Sequence, residues 1–448
     1  MLKVNLRPAH LAVGSRRVHY AWVMVAVAST MWMTTSAVRF AAAILVPDLQ
    51  DIFGWSIFAI FAAFAIQWIT AAFFSPVVGW LGDRYGVRRI MIVGAGLFVA
   101  GMLLSGTMTH LWQFYLYYGL VLAIAMAIFQ VPLVAAVTLW FKKHLGIAMG
   151  ALQALQGLGT VVGIVIVAVL LDSLGLKWTF WIPGIAGGAI LIMLVRFFYN
   201  EPGEIGIKPW GALEDDPLER LLEASIAKAR TSVFLKKAQK TGVFWNLIGI
   251  HFWGCAGHNI ILMGLPAMAD ERGFSRAEAA GVLVVLTVVS LITRFAVPVA
   301  ADLVGSKKAM LVSFALQTAP VLILLIANDL WVFYLFAALF GIGIGGEMTA
   351  FPIINRQYYG NAPMGTTYGW QLLGGGMGMA IGLLLGGFIW TESGSFTGAV
   401  LLSFGLSMVG VVSIWLLPNT SHHLIPDWEE SLPLEARSSA RALSLIHI

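Results

Sequence analysis

Residues 80–91 read WLGDRYGVRRIM: one acid, three arginines and two glycines between apolar blocks of helical length. An apolar block of about 20 residues is what an α-helix needs to cross a bilayer core about 30 Å thick. A charged cluster between two such blocks is a chain turning at a membrane surface. A weaker echo, VAADLVGSKKAM at 299–310, keeps the aspartate, the glycine and the paired basic residues in register. Repeated halves with a site between them are a common transporter architecture.

The composition agrees. Of 448 residues 59% are hydrophobic and 11% charged, against about 25% charged in a soluble domain. Too few charges remain to cover a water-facing surface, so the chain is a polytopic protein of a lipid bilayer, and no nucleic-acid partner is expected. Hydropathy predicts twelve helices, near 18–46, 57–80, 90–108, 112–140, 146–171, 178–198, 243–269, 277–301, 309–327, 330–354, 366–390 and 396–417. With the N-terminus cytoplasmic, that side collects 21 of the 27 basic residues, which predicts both termini inside. The start, 1–17, lacks the short apolar core of a cleavable signal, so the first helix should remain as an anchor. The single cysteine, Cys255, excludes an intrachain disulfide.

The division is then a six-helix bundle over 18–198, a cytoplasmic linker over 199–242, a second bundle over 243–417 and a cytoplasmic tail over 418–442. The last six residues, LSLIHI at 443–448, resemble translated sequencing-adapter DNA and are set aside. Within the linker, DDPLERLLEASIAKAR predicts an amphipathic helix: Asp216 caps it, Pro217 suits its first turn and Glu219 completes a capping box. Leu218, Leu221, Leu222 and Ile226 share its apolar face. It reads either as a strap holding the halves together or as a loose linker.

GWLGDRYGVRR, 79–89, resembles the signature loop between the second and third helices of the major facilitator superfamily. Gly79, Asp83, Arg84, Gly86, Arg88 and Arg89 fall at the family's spacings. The resemblance covers about residues 18–417. It implies an all-α membrane fold of twelve helices in two pseudo-symmetric six-helix bundles, alternating access, and a carrier that works as a monomer without a cofactor. Gly79 would let a neighbouring helix approach, and Asp83 would pair with basic groups or a helix N-terminus across the seam between halves. A contact made in one conformation and broken in the other biases a two-state motion. Gly79, Asp83, Arg84, Gly86 and Arg88, with Asp302 of the echo, are the expected gate. The plainer alternative is a loop that only enforces topology. LVPDLQDIFGWS, WFKKHLGIAMGALQALQGLGT, EPGEIGIKPWG and MAIGLLLGGFIWTESGSF are similar to the monocarboxylate and oxalate/formate porter group.

Three charges lie deep in the apolar blocks. Arg294 stands eight residues before Asp302 and Arg39 eight before Pro47, about 12 Å at about 1.5 Å per residue. Glu347 stands nine before Arg356. All three fall near the midplane, where an arginine costs about +2.5 to +3.5 kcal/mol unless it has a partner or a watery cavity. Glu347 neutralises one arginine at most, which leaves one positive charge for a substrate carboxylate, a group that the guanidinium fork matches. The alternatives are that Arg294 snorkels inward or pairs permanently with Glu347.

The branch resemblance adds detail. Its members hold the substrate carboxylate with an arginine of the eighth helix, a role that falls on Arg294. Its basic position in the first helix falls at Phe40, one residue past Arg39. The lysine that oxalate-type exchangers carry in the eleventh helix falls at Gly375, and the aspartate of animal-type monocarboxylate porters at Ser290. Both groups are missing here. Glu347 is the natural replacement, since a carboxyl group in a low-dielectric cavity takes up a proton unless a cation holds it ionised. An acid competing with substrate for one arginine would couple protons to anion movement. A fixed ion pair is the alternative.

His258, Asn259, Gln130, Tyr368 and Gln371 are further substrate-binding candidates, although helix packing uses the same residue types. His251, Cys255 and His258 lie along one helix face, but no carboxylate joins them in sequence, so no metal is expected. Gly374–Gly376 reads as close helix packing or a hinge. No nucleotide-binding motif or catalytic constellation is visible. The expectation is a secondary transporter of a small organic monocarboxylate in the cytoplasmic (inner) membrane, coupled to protons. A carboxylate exchanger and an exporter of amphipathic compounds are the alternatives, with a non-transporting sensor or a membrane enzyme further off.

Overall fold

The computed structural model of the chain describes residues 10–13, 16–41, 45–214, 224–360, 362–421, 423–433 and 436–437. A short antiparallel hairpin, β1 His10–Val13 with β2 Arg16–His19, precedes the first span. The helices are α1 Tyr20–Ala41, α2 Val46–Phe53, α3 Ile57–Tyr85, α4 Val87–Ser105, α5 Leu111–Phe114, α6 Ala123–Ile128, α7 Val131–Leu139 and α8 Leu145–Leu174. They continue as α9 Leu176–Val195, α10 Ala224–Ala238, α11 Gly242–Glu271, α12 Arg276–Val304, α13 Ser306–Thr318, α14 Leu330–Tyr359, α15 Met364–Ser393 and α16 Thr397–Trp415. Among the described residues eleven segments are long and apolar enough to cross a membrane. α11, a helix of 30 residues, is not among these eleven. Residues such as Val165, Val169, Ile192, Val284, Ile292 and Phe388 stay exposed, which an aqueous surface would penalise and hydrocarbon does not.

Prolines account for the main departures from the expected spans. The segment expected at 112–140 is broken: α5 runs into a π-helical stretch, Tyr115–Leu122, then α6, and the chain breaks at Phe129–Gln130 before α7. Pro132, at the start of α7, has no N–H to continue the ladder. The helix expected at 309–327 ends at Thr318 and tightens into a 3₁₀ stretch, Ala319–Leu325, because Pro320 interrupts it in the same way. Of the expected 18–46 span, α1 is described to Ala41 and α2 from Val46, with Pro47 in its first turn, and 42–44 lie outside the described residues.

The echo between 80–91 and 299–310 is written into the backbone. α3 and α12 both end on a glycine at positive φ, Gly86 at 85° and Gly305 at 92°, and the next helix starts at once. Helix pairing repeats too. α1 packs on α8 as α11 packs on α15, α4 on α9 as α13 on α16, and α3 on α6 as α12 on α14. Two further pairs, α3 with α15 and α8 with α12, join the two sets. A stripe of small residues lets α11 and α15 meet backbone to backbone: Gly374, Gly378 and Gly382 lie against Ile248, Phe252 and Ala256. Without a hydrophobic force between helices in lipid, such close van der Waals contact is what holds them.

The linker and the tail meet at the end that carries Gly86 and Gly305. Of the expected linker helix, Asp216, Pro217, Leu218, Glu219, Leu221 and Leu222 lie outside the described residues, and α10 carries Ile226. α10 packs against α3, α15 and the tail. Arg230 and Glu429 form a buried ion pair at 2.7 Å, and Arg230 also donates to the Ala436 carbonyl at 2.6 Å. The guanidinium lies 4.8 Å from the Trp428 ring, and Phe234 fits between Tyr359 and Trp428. Residues 443–448 lie outside the described residues. Removing one partner of a buried ion pair costs about 3–5 kcal/mol. Glu429→Ala should therefore speed protease cleavage within 418–437, and cleavage at the wild-type rate would show that the pair does not hold the tail.

Candidate functional site

A cavity of about 140 Å³ lies at the seam between the two sets of helices. α1 lines it with Trp32 and Ser36, α8 with Gln153 and Gln156, α11 with His251, Cys255 and His258, and α12 with Arg294. Trp68 of α3, Met348 of α14 and Tyr368 of α15 complete the polar and aromatic wall, together with Gln130. The break that Pro132 imposes on the fourth span is what sets Gln130 at this wall.

Arg294 projects from the middle of α12. Its Nη1 donates to Gln156 Oε1 of α8 at 2.5 Å and its Nε to Ser290 Oγ at 3.5 Å. Among the described residues no carboxylate lies within ion-pair distance of it. Glu347, expected to share an arginine, is instead fully buried beside His258, whose Nδ1 lies 2.7 Å from Glu347 Oε2. This corrects the expected pairing. The acid belongs to a histidine on α11, and among the described residues the guanidinium charge is met by neutral oxygens. Sequence spacing had no means of showing it, because α11 and α14 lie 89 residues apart at this contact.

The remaining candidates divide. His258, Gln130 and Tyr368 line the cavity. Asn259 and Gln371 do not. Asn259 donates to the Met379 carbonyl at 2.6 Å, and Gln371 exchanges two hydrogen bonds of 2.7 and 2.9 Å with Asn355. Both therefore satisfy helix packing. Arg39 belongs to α1, but its side chain lies outside the described residues, and α1 is described only to Ala41. Gly375 lines the cavity as well, and a Cβ there would come within 2.8 Å of the His251 imidazole. The space into which a side chain would grow is taken by that ring. Gln156 was the residue that sequence reasoning passed over. Its signal was present in ALQALQ, two glutamines one helical turn apart in an otherwise apolar block.

At the end of the molecule bearing the paired basic residues, the seam is closed twice by one device. Asp83 accepts hydrogen bonds from the backbone N–H groups of Gly365 and Thr366, at 3.1 and 2.7 Å, and from the Thr366 hydroxyl at 2.6 Å. Asp302 accepts one from the Gly146 N–H at 2.5 Å. Each carboxylate thus sits at the N-terminus of a helix from the other set, α15 and α8, where unpaired N–H groups and the macrodipole favour an anion. A Cβ on Gly79 would fall on the Gly365 carbonyl, and one on Gly146 on the Pro298 carbonyl. Arg84, Gly86 and Arg88 contact residues of their own half and of the start of the linker. Arg84 lies over the Trp80 and Tyr85 rings at 5.0 and 4.9 Å, and the Arg88 N–H donates to Asn200 Oδ1.

A family model described as the Major Facilitator Superfamily matches residues 22–299 and 247–444. The oxalate:formate antiporter of Oxalobacter formigenes is 25% identical over 408 residues, covering 87% of this chain and 92% of that protein. The MFS-type transporter opdF of Penicillium oxalicum is 26% identical over 362 residues, covering 78% and 79%. Among solved structures, the human organic anion transporter MFSD10 aligns with a TM-score of 0.69 at 15% identity, covering 89% of this chain and 99% of that one. The transporter FucP in its outward conformation aligns with a TM-score of 0.66 at 15% identity and the same coverage.

The two aspartate seals are separable. Asp83→Ala should raise amide exchange at the start of α15 by about tenfold, the loss of about 1.5 kcal/mol expected for hydrogen bonds to a charged group, and leave the start of α8 protected. Hydrogen exchange read by mass spectrometry checks this, and equal loosening of both helix starts would show that the seals act as one.

Proposed function

The chain belongs to the Major Facilitator Superfamily, and from that premise we propose that its alternating-access transport serves a small organic monocarboxylate moved together with protons. The observation that carries the reading is Arg294: a permanent charge on the wall of a small cavity at the seam, held by Gln156 and Ser290 and by no acid among the described residues. An isolated charge away from water is costly, and a substrate carboxylate supplies the missing negative charge in bidentate geometry. Gln156 belongs to α8 and Arg294 to α12, so an anion bound there bridges the two halves, 18–198 and 243–417. We take α11 as the twelfth span and both termini as cytoplasmic, as the basic residues indicate.

Proton coupling is assigned to the His258–Glu347 pair. Because Glu347 contacts His258 and not Arg294, substrate need not displace it from the arginine. The pair instead sets a carboxylate against an imidazole, the two groups a transported proton would pass between, and His258 gives that proton a route to the cavity. His258, Gln130 and Tyr368 are the residues proposed to hydrogen-bond the substrate beside Arg294. The gate is assigned to Gly79 with Asp83 and to Asp302.

A second reading, exchange of one carboxylate for another, is favoured by the similarity to an oxalate:formate antiporter over 87% of the chain. Against a dianion stands the single arginine at the described wall. The small cavity also weighs against amphipathic compounds as cargo.

Proteoliposomes given labelled acetate, lactate, pyruvate or oxalate at two pH values test the reading. Wild type should take up at least one monocarboxylate, faster with an inward proton gradient. Arg294→Gln should reduce that uptake at least about a hundredfold, the loss of a charge-assisted bidentate contact of about 3 kcal/mol. Uptake undiminished in Arg294→Gln removes the carboxylate reading. Glu347→Gln should abolish the response to the proton gradient and spare counterflow exchange. A retained response takes Glu347 out of the coupling step.

A further inference from the structure

Cys255 and His258 stand three residues apart on one face of α11, and Glu347 of α14 comes to meet them. One ligand atom from each, a sulfur, an imidazole nitrogen and a carboxylate oxygen, all lie within 4.8 Å of one another. All three side chains are buried, and Cys255 and His258 line the central cavity. We infer that these three residues form a binding site for a soft divalent cation of the zinc class, with a coordination position left open toward the cavity.

The donor set decides the class of ion. Thiolate, imidazole and carboxylate are the ligands of zinc, at about 2.0–2.3 Å, whereas magnesium and calcium prefer oxygen alone. Donors around a tetrahedral ion at those bond lengths stand roughly 3.3–3.8 Å apart, so the widest separation would close by up to about an ångström while the 2.7 Å contact of His258 with Glu347 opens. Two polar atoms here are otherwise unused. His258 Nε2 and Glu347 Oε1 are buried and have no hydrogen-bond partner among the described residues, where buried polar atoms almost always find one.

Metal ligands must be deprotonated, so binding of the ion here releases protons. His251 and Tyr368 are the neighbouring titratable side chains at the cavity wall, and Arg294 is the cation there. The bound ion would tie α11 to α14 and occupy the carboxylate assigned above to proton coupling. That last consequence rests on the proposed function. The site itself does not.

Cys255 is the chain's single cysteine, which makes the test clean. Purified full-length protein in detergent is titrated with Co²⁺, and a thiolate-to-cobalt charge-transfer band is sought in the near ultraviolet. One equivalent should produce the band, and Zn²⁺ should remove it. Cys255→Ser should lack the band, and His258→Gln and Glu347→Gln should weaken Co²⁺ binding at least tenfold. A wild-type protein without the band overturns the site, as does a band that persists in Cys255→Ser. Wild-type affinity in Glu347→Gln overturns the three-ligand set. In proteoliposomes Zn²⁺ should inhibit uptake at least tenfold more strongly in wild type than in Cys255→Ser, each compared with its own metal-free rate. A preparation that shows the band yet moves no carboxylate leaves the metal site standing and counts against the carboxylate reading.

Discussion

A guanidinium cannot shed its proton in a protein, so the charge of Arg294 has to be met where it stands. In this chain it is met by the side-chain oxygens of Gln156 and Ser290. Neutral dipoles soften the cost of a charge in low dielectric without cancelling it. Because Gln156 comes from the other half of the molecule, this charge also sits at the joint between the two halves. Charge and motion are linked at one place, and the wall of the cavity is organised around that link.

The same economy of means recurs at the closed end of the seam. Asp83 and Asp302 each meet the exposed N–H groups of a helix that belongs to the opposite set. A helix N-terminus is a weak site for an anion, sensitive to distance within its first turn. Glycines at 79 and 146 make the approach possible, since a Cβ at either would collide with a facing carbonyl. Near-equivalent backbone turns at Gly86 and Gly305 show the repeat acting at the level of geometry as well as of sequence.

Much of this was legible beforehand. Apolar blocks, charged turns and the echo at 299–310 announced a repeated helical membrane fold, because the bilayer imposes a length and a polarity on each span. The depth of Arg294 followed from its spacing along a helix, and the structure turned it toward the cavity. What depth could not supply was the partner. Glu347 and Arg294 stand at similar depths, yet the acid turns to His258. The side chain of Arg39 lies outside the described residues, so its depth stays an expectation. Asn259 and Gln371 carried the same polarity as His258 and Tyr368, and only packing divided them into wall and filler.

The sequence by itself settled which segments lie in the membrane, that they repeat, and that a cation is buried among them, since these follow from composition and from spacing along one helix. The tertiary structure decided which side chains share a pocket: Gln156 with Arg294, Glu347 with His258 and Cys255, Asp83 with the start of α15. The physical reason is rotation. Hydropathy fixes how deep a residue sits but leaves the angle of each helix about its axis almost free, and that angle is set by small residues on one helix fitting the backbone of the next.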